Sequence, residues 1–448
     1  MGSLSPYVSK ESETVKAIYA WHEKMEATRE GPHRGRLGAS VIGKPCDREL
    51  WYGFRELYQS KFDGRMLRLF ETGHLEEKRF VRELRGIGCR VHAGDSATGE
   101  QFEFTALGGH FVCHPDAVVL GIKEAPETWH SCEMKTMCEK DFNKTKRDGV
   151  LKSKPEHHAQ TQIAMGMAKL TRALYVFRNK NTDHIWTERL KRDTKCFKQL
   201  MDRAERIIRS NNPPERRADR PDSFTCRFCD AFQLCWGTGK VAVPLPAKTC
   251  RSCCHATPEI DEGENWARWK CEKHGIDISY AEQKQACDCH LLLPGLISFA
   301  EPVDSGDDWI EFKNTSDGAV WRHGNGKGMW TTEELMRTPG PLVGEKAVDA
   351  VKEAFGATVT EFDDGKELTL VEQYPPGDSR RVWDGDPLNK DKVYTELCKA
   401  LGIQEGEPLP TPTNEYKDDA HEAYEFNKRI LLVIYKEHGH AAIWEGVE

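Results

Sequence analysis

The sequence lacks the features that mark membrane, secreted and uniformly basic proteins. Its 448 residues contain no apolar run near the roughly 20 residues that a membrane helix needs. Residues 1–16 have no apolar core of the signal-peptide kind, so we expect a cytoplasmic protein with no membrane partner. The formal net charge of −8 excludes a basic coat over the whole surface, so any polyanion must meet a local patch. No internal repeat is visible.

Cysteine, in contrast, is abundant and clustered. The chain has 16 cysteines, and without an export signal their clustering favours metal ligation over disulfides. The composition, 38% hydrophobic and 30% charged, is typical of a folded chain with polar surfaces. The length allows two to four domains.

Apolar periodicity predicts helices, then strands, then helices along the first half. Helices are predicted at residues 12–30, 64–86, 155–169 and 194–210, and a further one after a loop that carries Cys46. Strands are predicted within 89–135 and at 174–177 and 184–190. Beyond residue 300 we expect strands near 309–312 and 318–321 and a capping box at 331–335. A closing amphipathic helix is expected to use Tyr416, Ala420, Tyr424, Ile430, Leu431 and Ile434.

Two carboxylates and a lysine stand at the ends of neighbouring predicted strands. Asp116 ends one apolar run, and Glu133 and Lys135 end the next. Residues two apart on a strand point to one face, so Glu133 and Lys135 should lie together. Carboxylate oxygens are the ligands that Mg²⁺ prefers, and a bound metal lowers the pKa of water beside the lysine. Lys135 could orient or deprotonate that water, or stabilise transition-state charge.

This pattern resembles the PD-(D/E)XK nuclease superfamily, in particular its RecB-like branch. The resemblance implies a metal-ligating His on the preceding helix, matched by His74, and a Gln on the following helix, matched by Gln160. Gln162 is the alternative to Gln160, because the aromatic residue usual four positions after that Gln is absent. Glu77, one helical turn after His74, is a weaker candidate. A site that includes His74 would accept Mn²⁺ as well as Mg²⁺.

The first cysteine set, Cys226, Cys229 and Cys235, places three thiolates at short spacing on a predicted loop. Thiolates prefer a soft metal centre, and three are one ligand short of a closed site. Cys46 could supply the fourth. One early and three late cysteines around a nuclease core resemble the iron–sulfur nucleases of the RecB-like branch, including CRISPR-associated exonucleases, which implies a structural [4Fe-4S] cluster. A zinc ion bound by four cysteines is the alternative.

The second cysteine set predicts a zinc ribbon or knuckle. Cys250-x-x-Cys253 and Cys271-x-x-His274 have a spacing typical of a Cys₃His zinc site. Cys287 and His290 are alternative ligands, and Cys254 and His255 are spare donors.

Lysines and arginines next to the proposed metal site are candidates for binding DNA phosphates. They are Lys140, Lys144, Lys146, Arg147, Lys152 and Lys154. Arginines 203, 206 and 209 are further candidates, and the loop of Arg34 and Arg36 could line a channel for one strand. Trp51, Tyr52 and Phe142 are options for stacking on bases.

The combined expectation is an α/β (α+β) protein with a PD-(D/E)XK restriction-endonuclease-like core. Its mixed central sheet is flanked by helices, with a zinc-ribbon insert and a small C-terminal α+β domain. The expected boundaries are a helical segment at 1–37, the nuclease domain at 38–240, the zinc ribbon at 248–295 and the accessory domain at 300–448.

The resemblance implies a DNA exonuclease that acts on ends or single strands in phage or bacterial recombination and repair. A recombination or replication protein is a conceivable partner, and the host cytoplasm is the expected location of a phage-encoded protein. Alternatives are a non-catalytic, metal-stabilised DNA-binding scaffold and a CRISPR-adaptation or RNA-processing nuclease. Polarity, processivity and oligomeric state do not follow from the sequence.

Overall fold

The structure, a computed structural model, describes most of the chain. The described residues are 12–28, 35–94, 101–237, 240–261, 263, 265–363, 367–374, 377–378, 380–385, 390–404, 410, 414–417, 421–426, 430–435 and 440–445. Arg34 and Ala420 lie outside them. None of the helices in these ranges is long and apolar enough to span a membrane.

The chain forms two compact units. Unit 1 comprises residues 1–219, 258–270 and 277–280, and unit 2 comprises residues 220–257, 271–276 and 281–448. The four domain boundaries proposed from the sequence remain predictions.

The first 209 residues contain seven helices and eight strands within the described ranges. In chain order they are α1 (Glu13–Ala27), β1 (Leu37–Gly38), α2 (Asp47–Phe54), α3 (Gly64–Gly86), β2 (Arg90–His92), β3 (Phe104–Ala106), β4 (Phe111–Cys113), β5 (Ala117–Leu120), β6 (His130–Met137), α4 (Glu139–Asp148), α5 (Val150–Ser153), α6 (Pro155–Met167), β7 (Arg172–Asn179), β8 (Ile185–Lys191) and α7 (Thr194–Arg209). The predicted helices at 12–30, 64–86, 155–169 and 194–210 are confirmed as α1, α3, α6 and α7.

Five of these strands form the central sheet of unit 1, in the order β2-β5-β6-β7-β8. β6 and β7 are parallel, and the other neighbouring pairs are antiparallel. The parallel pair requires a crossover, which α4, α5 and α6 supply. A second sheet has the order β1-β4-β3, and its strand β4 leads to Asp116. The expected mixed sheet with flanking helices is therefore present.

The side chains of β6 and β7 alternate between two cores. Cys132 and Met134 of β6 join Phe80 of α3 in one core. Met137 of β6 joins Tyr175 of β7 in the other, together with residues of α4 and α6. Because successive strand residues point to opposite faces, Glu133 and Lys135 lie on the face of Met137 and Tyr175.

The loop before α2 is fastened to α7 by Arg203. Its guanidinium donates to the carbonyl oxygens of Ile42 (2.6 Å) and Lys44 (2.7 Å) and to Asp47 Oδ1. Arg203 therefore positions the loop that contains Cys46, and its proposed role in DNA binding is not supported.

The aromatic side chains considered for base stacking belong to the core. Trp51, Tyr52 and Phe142 are 0%, 1% and 4% exposed, respectively. Trp51 Nε1 donates to the carbonyl of Ser210 at 2.8 Å, which ties α2 to the end of α7. The prediction that these side chains stack on DNA bases is therefore wrong, because they are buried in the protein interior.

The second part of the chain contains short helices and small sheets. In chain order the elements are α8 (Phe232–Trp236), β9 (Ala256–Pro258), β10 (Trp269–Cys271), β11 (Ile276–Asp277), α9 (Tyr280–Gln285), β12 (Ala300–Ser305), β13 (Trp309–Asn314), β14 (Val320–Gly324), α10 (Thr332–Leu335), α11 (Lys346–Phe355), β15 (Ala357–Asp363), β16 (Glu367–Tyr374), β17 (Gly377–Asp378), β18 (Arg380–Gly385), α12 (Lys390–Leu401), β19 (Asn414–Lys417), β20 (His421–Phe426), β21 (Ile430–Tyr435) and β22 (His440–Glu445). The sheets are β11-β10-β9, β12-β13-β14, β15-β16-β17 and β18-β22-β21-β20-β19.

The capping box predicted at residues 331–335 is confirmed. The Thr331 side chain accepts a hydrogen bond from the Glu334 backbone N–H (3.3 Å), and Glu334 Oε2 accepts one from the Thr331 N–H (2.8 Å). The other carboxylate oxygen of Glu334 pairs with Lys352 in the interior of unit 2 and accepts the Val359 N–H (2.7 Å). One residue therefore begins α10 and fixes β15 against it.

The prediction of a closing amphipathic helix is wrong. The described residues between 414 and 445 form the strands β19–β22 instead, paired as antiparallel neighbours. The sequence at 430–435, Ile-Leu-Leu-Val-Ile-Tyr, is a continuous apolar run of strand-forming residues. The apolar residues between Tyr416 and Ile434 have a helical spacing only by coincidence. In short apolar runs, periodicity does not distinguish a helix from a strand.

Candidate active site

Asp116 is fixed at the start of β5 by a contact with β6. It follows the turn after β4, and the backbone N–H of Met134 donates to its Oδ2 at 2.6 Å. The neighbouring residues 117 and 132 are paired across the two strands. The carboxylate is thus held beside the strand that carries Glu133.

Glu133 and Lys135 lie side by side on β6, as the strand period predicts. The Lys135 ammonium forms an ion pair with Glu133 Oε1. The Glu133 side chain is 2% exposed, whereas that of Lys135 is 27% exposed. The pair therefore joins a buried carboxylate to an amine that reaches solvent.

Helix α3 brings two more polar residues to this cluster. His74 Nδ1 lies 3.7 Å from Glu77 Oε2, and the charges of Asp116 and Lys135 act on the Glu77 carboxyl. The His74 side chain is 65% exposed, so its ring is accessible to a ligand. The helix thus presents an imidazole and a third carboxylate. Glu77 is therefore a stronger candidate ligand than the sequence alone indicated.

Burial and mutual repulsion set the protonation of the carboxylates. Burial, together with the charge of Asp116, raises the pKa of Glu133 to about 8, although Lys135 opposes the rise. Burial also raises the pKa values of Asp116 and Glu77. Three carboxyl groups that share one lysine therefore resist full ionisation without another cation.

Lys135 responds in the opposite direction. Burial acts to lower its pKa, but attraction to Glu133 and Asp116 is stronger in sum and raises the pKa above its usual value. Lys135 is consequently a cation across the neutral pH range.

His157 and Tyr175 also belong to the site, and the sequence reasoning missed their contact. Tyr175 is the β7 residue paired with Glu133, and its hydroxyl is hydrogen-bonded to His157 Nδ1 of α6 at 2.5 Å. Burial, with the charge of Lys135, lowers the pKa of His157 to about 4, so the imidazole is neutral. The alternation of Leu174-Tyr175-Val176 was the only sequence signal, because the pairing of β6 with β7 is long-range.

The two glutamines of α6 have different environments. Gln162 is 1% exposed; its amide donates to the Lys191 carbonyl (3.1 Å), and its Oε1 accepts the Asp193 N–H (2.8 Å). Gln160 is half-buried, follows His157 by three residues and therefore lies on the same side of the helix. These contacts favour Gln160 over Gln162 as the residue available to a substrate.

The donor set fits a hard divalent cation. Asp116, Glu133 and Glu77 offer carboxylate oxygens, and His74 offers an imidazole nitrogen at the accessible side. Oxygen ligands of this kind suit Mg²⁺ and Mn²⁺. A cation here would also offset the burial and repulsion that raise the carboxyl pKa values.

The basic residues that follow β6 form an accessible surface on and after α4. Lys140, Lys144, Lys146, Arg147 and Lys152 are exposed, and Lys154 is half-buried. Three of them already have partners: Lys154 pairs with Asp141 (2.7 Å), Arg147 pairs with Asp148 (2.7 Å), and the Lys146 ammonium lies 4.4 Å from the centre of the Trp186 ring. Lys140, Lys144 and Lys152 are the most open to a phosphate.

A cavity of about 470 Å³ lies beside β1, β4 and α2 in unit 1. Its lining includes Arg36, Lys44 and His114. Arg36 pairs with Glu103 (2.7 Å) and Lys44 pairs with Glu49 (2.5 Å). The channel for one DNA strand that was expected near Arg36 is therefore matched by a cavity, but its basic residues are already paired with carboxylates.

The first cysteine set is divided between the two units. Cys46 immediately precedes α2 in unit 1, whereas Cys226, Cys229 and Cys235 belong to unit 2. Tight turns connect the latter, with the Cys229 N–H donating to the Cys226 carbonyl at 3.1 Å. The iron–sulfur cluster and its zinc alternative remain predictions.

The second cysteine set lies within unit 2. His274, Cys287 and Cys289 form a group whose ligand atoms all lie within 4.8 Å of one another, and it is the only such group among the described residues. His290 is 2% exposed and uses both ring nitrogens in contacts with Thr332 Oγ1 (2.9 Å) and the Thr249 carbonyl (3.0 Å). The ligands proposed from the sequence, Cys250, Cys253 and Cys271, remain predictions.

Comparisons with known proteins give only distant similarity. No protein-family model matches the chain, and no curated protein matches it significantly. Among solved structures, the chain is similar to SSO0001, with 11% identity and a TM-score of 0.29 over 49% of this chain and 94% of that one. It is also similar to LHK-Exo in complex with dAMP, with 15% identity and a TM-score of 0.27 over 43% of this chain and 90% of that one.

A second crystal structure, of the alkaline exonuclease LHK-Exo from Laribacter hongkongensis, gives 15% identity and a TM-score of 0.25 over the same shares of the two chains. At these scores the likeness does not assign an activity.

Proposed function

We propose that this protein is a deoxyribonuclease that depends on Mg²⁺ or Mn²⁺ and hydrolyses phosphodiester bonds. The observation that carries the proposal is the cluster of Asp116, Glu133 and Lys135, two carboxylates and an ammonium at one edge of the β5–β6 pair. Glu77 and His74 reach the same cluster from α3. Their chain order, with Gln160 on the following helix, supports the PD-(D/E)XK core implied by the sequence.

The metal would be held by Asp116 and Glu133, with His74 or Glu77 completing its protein ligands. When bound, a divalent ion neutralises phosphate charge and lowers the pKa of water. Asp116 is oriented for this role by the Met134 N–H, and Glu133 by its place in the sheet. Burial of Glu133 strengthens its electrostatic interaction with any cation that replaces water there.

Lys135 would act as a fixed positive charge. The two carboxylates raise its pKa, so the amine keeps its proton at neutral pH. This favours charge stabilisation and orientation of the attacking water over proton abstraction. Gln160, on the side of α6 that carries His157, would contact the water or the DNA.

The exposed lysines of α4 and α5 support a DNA substrate. Lys140 and Lys144 of α4 and Lys152 of α5 lie in the segment after β6, where they could bind DNA phosphates. We propose an exonuclease acting at DNA ends in recombination or repair, with no strong sequence preference.

A panel of labelled DNA substrates tests this mode of action. Linear blunt duplex, single-stranded DNA and covalently closed circular DNA are incubated with Mg²⁺ or Mn²⁺. We expect loss of label from linear DNA and no cleavage of the closed circle. Cleavage of the circle at the same rate would replace the exonuclease with an endonuclease. Binding of all substrates without cleavage would support the alternative, a metal-stabilised DNA-binding scaffold.

A further inference from the structure

Two segments of unit 2, residues 271–276 and 281–290, place metal-ligating atoms in two turns. The Gly275 N–H donates to the Cys271 carbonyl at 2.8 Å, which closes the turn that carries His274. Gly275 has φ +66°, a conformation that glycine adopts without strain. The His290 N–H donates to the Cys287 carbonyl at 3.2 Å and closes the second turn.

The donor atoms of the two turns meet at a spacing that suits zinc. His274 Nε2 lies 3.6 Å from Cys287 Sγ, and Cys289 Sγ completes a trio within 4.8 Å. Zinc binds sulfur at about 2.3 Å and nitrogen at about 2.0 Å, so tetrahedral neighbours are separated by roughly 3.5 Å. The His274–Cys287 distance is close to that separation without any ion to enforce it.

We propose that His274, Cys287 and Cys289 bind one zinc ion, with Cys271 as the fourth ligand. Cys271 is assigned because it shares the first turn with His274. A Cys₃His set is common in structural zinc sites, whereas iron–sulfur clusters are held mainly by thiolates. The ligands therefore differ from the pairing of Cys250 and Cys253 with Cys271 and His274 that spacing alone favours.

The neighbouring cysteines have other contacts. The Cys250 thiol donates to the Glu282 carbonyl at 4.0 Å, and Cys253 is 5% exposed within the unit.

The ion would join the turn between β10 and β11 to the segment after α9. Both segments are short and have little apolar surface of their own to bury. Metal binding can supply the folding free energy of such a segment. His274 and Cys287 are exposed, so the ion should exchange with an added chelator.

Metal content of the full-length protein, purified without air, tests the site. We expect Cys289→Ser to lose one equivalent of zinc relative to the parent, and Cys254→Ser, a change at a neighbouring thiol outside the set, to retain it. Comparison between variants cancels any metal at Cys226–Cys235. Retention of all zinc by Cys289→Ser, or loss of that equivalent from Cys250→Ser instead, would overturn the assignment.

A ligand exchange keeps the test decisive if a serine variant fails to fold. In the Co²⁺-substituted protein, His274→Cys should retain the ion and shift the visible absorption to that of an all-thiolate site. An unchanged spectrum with retained Co²⁺ would show that His274 is not a ligand and would contradict the proposal. Nuclease activity takes no part in this readout.

Discussion

Glu133 must satisfy two opposing conditions in its place on β6. Burial favours its neutral form, whereas the ion pair with Lys135 favours the carboxylate. Without a metal, burial and the charge of Asp116 prevail and the pKa rises to about 8. A bound divalent cation would favour the carboxylate form of Glu133 instead. The burial and repulsion that raise this pKa are therefore relieved when a metal ion binds.

Stability of the metal-free protein should therefore depend on the proton of Glu133. Between its ordinary pKa of 4.5 and about 8, the folded protein keeps this proton while the unfolded chain has lost it. The free energy of unfolding falls as pH rises through this window, by up to a few kcal/mol. We expect Glu133→Gln to remove much of that fall, as measured by urea unfolding at pH 6 and pH 8.5 in EDTA.

Glu139→Gln is the control for this measurement, because Glu139 is an exposed carboxylate of α4. It should keep the parent's pH dependence. Equal pH dependence of the parent and Glu133→Gln would mean that Glu133 ionises normally.

Gln160 and Gln162 provide a second test, since they separate catalysis from stability. Gln162→Ala leaves the Asp193 N–H without its acceptor and should cost about 1–3 kcal/mol of unfolding free energy. Gln160→Ala should leave the unfolding midpoint within a degree or two, but lower the cleavage rate at least about tenfold, about 1.4 kcal/mol in activation free energy. A stable, fully active Gln160→Ala variant would remove Gln160 from the site.

Single residues were predictable where the signal was local. Strand alternation was sufficient to place Glu133 and Lys135 on one face, and helix spacing to place Glu77 beside His74. The contact of His157 with Tyr175 was not predictable from the sequence, because it depends on the packing of α6 over β7. Trp51 and Tyr52 were misread for a related reason: nothing local distinguishes a buried aromatic residue from an exposed one.

Helices α4 and α5 should contribute a measurable share of DNA affinity. Lys144→Glu with Lys152→Glu replaces two exposed cations, and each lost phosphate contact lowers the slope of log K against log salt by about 0.7–0.9. We expect weaker DNA binding at 0.1 M salt and a shallower slope, measured by fluorescence anisotropy.

The matched control changes the same total charge on another helix. Lys195 and Lys198 are exposed on α7, and the variant with both changed to Glu should bind DNA with the parent's salt slope. Equal loss of affinity in the two double variants would indicate only a long-range effect of net charge.

Elements were predicted best where they are long and amphipathic. Helix α3 was predicted with its observed bounds, and α7 within one residue. The C-terminal strands were taken for a helix, because each is only four to six residues long and their pairing is set by partners distant in sequence. Strands of that length carry too few periods to identify themselves.

At the scale of the whole molecule, the division into two units did not follow from the sequence. Residues 258–270 and 277–280 group with the first unit although they lie among the second cysteine set. Sequence composition and linkers indicate a domain boundary only where the chain passes once from one domain to the next. They do not identify a segment that returns to the first domain.

The iron–sulfur prediction also belongs to this scale and has a visible consequence. Protein purified without air should be brown and contain about four iron atoms per chain, as expected of one [4Fe-4S] cluster. Cys226→Ser should lose colour and iron, whereas Cys196→Ser, at a thiol on α7, should keep both. A colourless protein that contains only zinc would contradict the cluster.

The central claim is that Asp116, Glu133 and Lys135 hydrolyse DNA with a divalent metal. Its most direct test is the cleavage of labelled linear DNA by the parent and by Lys135→Ala, with Mg²⁺, Mn²⁺ or EDTA, alongside DNA binding and thermal unfolding of both proteins. We expect metal-dependent cleavage by the parent, a loss of at least about 100-fold in Lys135→Ala, and unchanged DNA binding. Cleavage by a folded Lys135→Ala variant at the parent's rate would show that the active site lies elsewhere.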